Sequence, residues 1–201
     1  MKSLYDFIVQ PIGETYNNKT KVDGKDLILN NKIESWKFVN RKAKVVSLPA
    51  AFKTSIKIGD TIIVHQNIFR SFYDMQGKKK NSRSYFKDNL YFVSLDQIYL
   101  YKKNNKWHTF GDRCFIKPIE NNDVLKHEKT VPYIGILKYT NNALKAHNIA
   151  LNDVVGFKPG AEWEFVIDNE LLYCMKSNDI VIKYGSKKNQ KEYNPSWTRS
   201  C

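Results

Sequence analysis

The sequence predicts an all-β protein built as two tandem small Greek-key β-barrels. Three observations predict it: short apolar segments that recur in one order in both halves of the chain, a residue chemistry that suits strands, and turn residues set between those strands with no long amphipathic helix.

The repeat is the most informative of the three. Phe7-Ile8-Val9-Gln10-Pro11-Ile12 is echoed by Cys114-Phe115-Ile116-Lys117-Pro118-Ile119, and Ala43-Lys44-Val45-Val46 by Ile134-Gly135-Ile136-Leu137. Ile56-Lys57-Ile58-Gly59-Asp60 through Val64 is matched by Ile149-Ala150-Leu151-Asn152-Asp153 through Phe157. Finally, Lys87-Asp88-Asn89 through Val93 and Asp96-Gln97-Ile98 pair with Ile167-Asp168-Asn169 through Cys174 and Asn178-Asp179-Ile180. One short match can arise by chance. The same order with different spacer lengths points to duplication.

Residue chemistry agrees with strands. Of 201 residues, 42% are hydrophobic, enough for packed cores, and 13% are aromatic, which together with many Val and Ile favours pleated, half-buried surfaces. Gly59-Asp60 and Asn152-Asp153 stand before β-branched runs, as tight turns feeding strands do. Asp88-Asn89 and Asp168-Asn169 read as hairpin turns, because Asp and Asn tolerate the positive φ such turns need. The one helical candidate runs from Asn141 to Ala146. The Lys102–Lys106 stretch reads as a polar linker, which gives a first barrel over 1–104, a second over 105–185 and a basic C-terminal tail over 186–201. Such a tail is expected to be disordered alone and to be held by a neighbour where it is ordered.

The segments in the second half, Gly111-Asp112-Arg113-Cys114-Phe115-Ile116-Lys117-Pro118, Asn152-Asp153-Val154-Val155, Asp168-Asn169-Glu170-Leu171-Leu172-Tyr173 and Asn178-Asp179-Ile180-Val181, resemble the co-chaperonin (GroES) family. Lys57-Ile58-Gly59-Asp60-Thr61-Ile62-Ile63-Val64 is the most typical segment of the first half, and the resemblance spans about residues 4–101 and 110–184. It implies small β-barrels that assemble into a ring and perform no chemistry. It also implies a mobile loop that docks an apolar triplet on a chaperonin, a position held here by Leu27, Ile28 and Leu29. The second half has Asn121 to Lys129 there, shorter and without the triplet, and Ser47 to Lys53 leaves little room for the family's roof hairpin.

A formal net charge of +13 admits two readings. One is an acidic partner, nucleic acid included; the other is AT-rich coding, which favours Lys and Asn. Candidate basic patches are Lys78, Lys79, Lys80 and Arg83, bracketed by Phe72-Tyr73 and Tyr85-Phe86, and Lys187 with Lys188 in the tail. Basic residues beside aromatics grip phosphates and stack on bases, and the same pattern also suits a solvated hairpin tip.

Catalysis is not expected. His65, His108, His127 and His147 show no metal-ligand spacing, no nucleophile motif or phosphate-cradling glycine loop is present, and no cofactor is implied. Cys114 and Cys174 read as core residues, while Cys201 falls in the polar tail, so neither a disulfide framework nor a zinc site is expected. The N-terminus does not read as a signal peptide, and no stretch reaches the roughly 20 apolar residues of a membrane span. The expectation is therefore a non-enzymatic ring-forming or adaptor protein of a bacteriophage virion, at the capsid or portal vertex and assembled in the host cytoplasm. The alternative is a cytoplasmic, phage-encoded co-chaperonin that docks on the host chaperonin through Leu27-Ile28-Leu29.

Overall fold

The structure is a computed structural model that describes residues 3–16, 19–22, 25–28, 39–122 and 128–200. The chain folds as two compact units, Met1–Trp107 and His108–Cys201. Each is built on an antiparallel β-sheet, so the protein is mostly β.

In the first unit the strands are β1 (Phe7–Pro11), β2 (Lys19–Val22), β3 (Lys25–Ile28), β4 (Lys42–Ser47), β5 (Thr61–Val64), β6 (Ser71–Tyr73), β7 (Lys79–Asn81), β8 (Tyr91–Val93), β9 (Ile98–Lys103) and β10 (Lys106–Thr109), the last of which runs across the boundary at Trp107. Six of them form one sheet in the order β10-β9-β5-β4-β1-β8, while β2-β3 and β6-β7 are separate two-stranded sheets. The second unit holds β11 (Arg113–Glu120), β12 (Thr130–Tyr139), the short helix α1 (Asn142–Ala146), β13 (Asp153–Phe157), β14 (Trp163–Ile167), β15 (Glu170–Lys176) and β16 (Ile180–Ser186). Its sheet runs β14-β15-β11-β12-β13-β16.

Five strands therefore occur in one order in both units: β8-β1-β4-β5-β9 in the first and β15-β11-β12-β13-β16 in the second. The correspondence extends to single residues. Strand β1 breaks register between Ile8 and Val9, and β11 does so between Phe115 and Ile116. A second irregularity lies between Ile63 and Val64 in β5 and between Gly156 and Phe157 in β13. Bulges re-aim a strand at a fixed point, so these two give both sheets a shared bend there, and the second sheet adds irregularities of its own at Val154/Val155 and Pro118/Glu120.

The turn into the central strand is also shared. Gly59 (φ 91°) and Asn152 (φ 66°) take the left-handed conformation that Gly and Asn adopt most readily. Gly59 N–H donates to the Val45 carbonyl at 2.8 Å, and Asn152 N–H to the Leu137 carbonyl at 2.8 Å. The next residue closes each turn with its carboxylate: Asp60 Oδ2 accepts from Lys57 N–H and Asp153 Oδ2 from Ala150 N–H, both at 2.8 Å. These bonds place Val45 opposite Leu137 in the correspondence, one residue along from the alignment that the apolar segments suggest.

Hairpin geometry appears where paired Asp and Asn occur. Asp88-Asn89 and Asp168-Asn169 both have two consecutive positive φ angles, as the mirror-image turns that match strand twist require. Asn104 (φ 50°) and Asn105 (φ 59°) do the same between β9 and β10. The Lys102–Lys106 stretch, expected as a linker, is thus a tight hairpin whose flanking lysines lie within strands.

The cores follow from strand alternation and sheet coverage. Phe7, Val9, Ala43, Val45, Ile62 and Leu100 are buried in the first unit. In the second, Cys114, Ile116, Leu137, Leu144, Val155, Phe157 and Met175 form one cluster, capped by α1. Ile119, Ile136 and Val154 form a smaller one, against which Val131 and Ile134 pack. Asn141 caps α1 by accepting from Leu144 N–H at 3.1 Å and donates to Ser177 Oγ, tying the helix to the sheet.

The C-terminal segment departs from expectation. It lies against the second unit itself: Glu120 N–H donates to the Lys191 carbonyl at 2.8 Å, and Tyr193 N–H to the Pro118 carbonyl at 2.9 Å. Because β15 pairs with β11 only over Arg113 to Ile116, the main-chain groups beyond are left for this segment to satisfy.

At Gly135 β11 and β12 approach closely. A methyl there would overlap the Ile116 side chain and lie 2.7 Å from the Lys117 carbonyl oxygen. Gly135→Ala is expected to destabilise the chain by about 1–3 kcal/mol through overpacking, as read by urea denaturation.

Candidate functional site

The sequence-predicted positions fall into three places. Leu27 and Ile28 lie in β3, paired with Thr20 and Lys19 of β2, and Leu29 lies outside the described residues. This hairpin forms its own sheet, apart from the six-stranded one.

The second place is the β6–β7 hairpin, which carries Lys78, Lys79 and Lys80 and leads into Arg83. Phe72 pairs with Lys80 and Tyr73 with Lys79, so each aromatic residue shares a face of the hairpin with a lysine. The turn closes on Asp74, whose Oδ1 accepts from Gln76 N–H and Lys78 N–H, each at 2.9 Å, while Oδ2 meets Lys80 Nζ at 3.3 Å. The Lys78 N–H, helped by Lys80 and Gln76, holds the Asp74 carboxyl below its ordinary range against its desolvation. At the base, Ser71 N–H donates to Tyr16 Oη at 2.6 Å and Ser82 Oγ to the Ile68 carbonyl at 2.6 Å, so the hairpin is anchored to the first unit at both legs.

Beneath this hairpin is a cavity of about 590 Å³. Arg70, Arg83, Phe72 and Tyr73 line it, and as neighbours in β6 the two aromatic residues point to opposite faces of the hairpin. The Asn67 and Gln97 amides and the Ser82 and Ser84 hydroxyls add neutral polar groups. Of these residues the sequence pattern pointed to Arg83 and the aromatic pair. Arg70 carried a usable signal, since it immediately precedes Ser71-Phe72-Tyr73; Asn67 and Gln97 come from separate short turns and had none.

The third place is the tail. Lys187 Nζ lies 2.6 Å and Lys138 Nζ 2.9 Å from the same oxygen of Glu192, so Lys187 is engaged in an internal ion-pair cluster. Burial opposes ionisation of Glu192, yet the hydrogen bonds from Lys187 and Lys138 outweigh it and keep the carboxyl below its usual range. Lys188 is exposed.

Asn194 is the hub of this segment. Its Oδ1 accepts from Lys117 Nζ at 3.0 Å and from Leu171 N–H at 2.8 Å. Its Nδ2 donates to the Asn169 carbonyl at 3.0 Å and to Thr198 Oγ1 at 3.2 Å. All four hydrogen-bonding positions of the amide are filled. Lys117 is 2% exposed; burial lowers its pKa, and Glu170, 3.7 Å away, partly offsets that. Neither Lys117 nor Asn194 was legible as a pair, because they are far apart in sequence.

Among the described residues no three His, Cys, Asp or Glu side chains are grouped to hold a metal ion. Cys114 and Cys174 are buried free thiols, and burial pushes the Cys114 thiol up; Cys201 lies outside the described residues. No helix among the described residues is long and apolar enough to cross a membrane.

No protein-family model matches the chain, and no curated protein is significantly similar to it.

Asn194→Ala removes four hydrogen bonds and leaves the buried Lys117 ammonium short of a partner. The expected result is a loss of about 1–3 kcal/mol in urea denaturation. Hydrogen exchange should quicken at the amides of Glu120, Leu171 and Tyr193 while those of the first unit are unchanged.

Proposed function

We propose that the chain is a non-enzymatic assembly protein, made of two GroES-like barrels in tandem, which forms a ring or an adaptor at the capsid or portal vertex of a bacteriophage virion. The observation that carries this reading is the apolar rim of β16. As the outermost strand of its sheet it has no strand partner on one side among the described residues, and Val181, Ile182 and Tyr184 are 54%, 48% and 57% exposed. Gly156 on β13 lets this rim lie close: a methyl there would sit 3.2 Å from the Tyr184 ring and 3.3 Å from Ile182 Cβ. Apolar, unpaired edges of this kind are normally covered by a partner.

Two further features support assembly. The opposite edge strand, β14, exposes Trp163, so the second unit has apolar side chains at both ends of its sheet, as a head-to-tail ring contact needs. Ile58 and Leu151, which occupy the same place in the shared turn, are both exposed, giving each unit the same aliphatic knob. The Lys- and Asn-rich composition suits an AT-rich phage genome, and assembly would take place in the host cytoplasm.

Light scattering after size exclusion is the first test. The wild type is expected to be oligomeric, and Ile182→Asp/Tyr184→Asp to fall to a smaller species without losing its fold. The chain should also be found in purified virions at a fixed copy number. A wild type that stays monomeric and is missing from virions contradicts the proposal. Nucleotide-dependent sedimentation with a double-ring chaperonin, lost on Leu27→Ala/Ile28→Ala/Leu29→Ala, would replace it with the co-chaperonin role.

A further inference from the structure

We infer that the β6–β7 hairpin and the cavity beside it bind single-stranded nucleic acid, with Arg83 on phosphate and with Phe72 and Tyr73 each offering a ring to a base on its own face of the hairpin. The inference is separate from the assembly role, because every residue it uses lies in the first unit and none lies on β14 or β16.

The chemistry of the wall selects the ligand. Phe72 is 45% and Tyr73 57% exposed, so each face of the hairpin carries a ring in water, a cost that stacking on a flat partner removes. An acidic peptide would use the cations and leave those rings uncovered. A base has a π-face for them, and stacking of this sort tolerates any base. The Asn67 and Gln97 amides offer both donors and acceptors to a base edge.

Size and charge agree. A cavity of about 590 Å³ is in the range that holds one small ligand, so it has room for an unstacked nucleotide. Lys78 and Lys79 are exposed on the hairpin above, where a phosphate backbone leaving the cavity would run. The acidic side chain of the hairpin, Asp74, is occupied by the turn N–H groups and Lys80, so its charge is partly cancelled. With the chain at +13, the long-range field also favours a polyanion.

The test is fluorescence anisotropy of the full chain with a labelled oligothymidylate about 15 nucleotides long, near the upper end of the tracts such grooves cover. Phe72→Ala and Tyr73→Ala should each weaken binding by roughly 5- to 100-fold, the scale of one lost stacking contact, while Tyr73→Phe retains it. Arg83→Ala should weaken binding and make the salt dependence shallower by about 0.7 in the log–log slope, one phosphate contact. Lys176→Ala, which removes one exposed charge from the second unit, should leave affinity nearly unchanged. Absence of binding at low salt overturns the inference. So does equal binding of a duplex of the same length, equal competition by polyglutamate, or an aromatic variant that binds as the wild type does.

Discussion

The architecture depends on one local constraint, the left-handed residue followed by aspartate at Gly59-Asp60 and Asn152-Asp153. The left-handed residue turns the chain, and its N–H reaches back across to Val45 or Leu137; the aspartate carboxylate then fixes the turn from within. That pins β4 against β5 and β12 against β13. Since a one-residue slip would move every side chain to the opposite face, the same turn decides which residues enter each core. The bulges that follow, at Ile63/Val64 and Gly156/Phe157, then set how β9 and β16 join the five-strand array. In the second unit Asp153 is further held by Lys183, 2.8 Å away, which helps lower its pKa and ties the turn to β16.

The two units differ in what is attached to this shared frame. The first carries the β2–β3 hairpin between β1 and β4 and the β6–β7 hairpin between β5 and β8. The second replaces these with a shorter connection, with β14, and with the C-terminal segment laid along β11. The β3 pair Leu27 and Ile28 and the cavity beneath β6–β7 both lie in these additions. Connecting segments carry function on a rigid scaffold because they alter without disturbing the core.

Local chemistry made the strands and most turns legible in the sequence. Asp88-Asn89 and Asp168-Asn169 need no partner to declare a mirror-image hairpin turn, and the short helix after Asn141 shows its own cap. The one-residue offset at Ala43–Val46 was hidden because apolar matching cannot count residues through a strand; the Gly59 and Asn152 hydrogen bonds can. Asn104-Asn105 was read as a linker because its lysine flanks mask the strands on either side. The tail was read as disordered on its charge, whereas what holds it is main-chain pairing to β11 and the Asn194 amide, contacts that span long stretches of chain. Likewise the cavity gathers Asn67, Arg70, Arg83 and Gln97 from separate turns, and only folding brings them together.

The account rests most heavily on the equivalence of the two turns, and hydrogen exchange on Asp60→Ala and Asp153→Ala tests it directly. The account predicts that Asp60→Ala speeds exchange along β4 and β5 while the second unit stays protected, and that Asp153→Ala does the same along β12 and β13 while the first stays protected. Exchange that is unaltered around either turn, or that rises equally in both units for either variant, would contradict it.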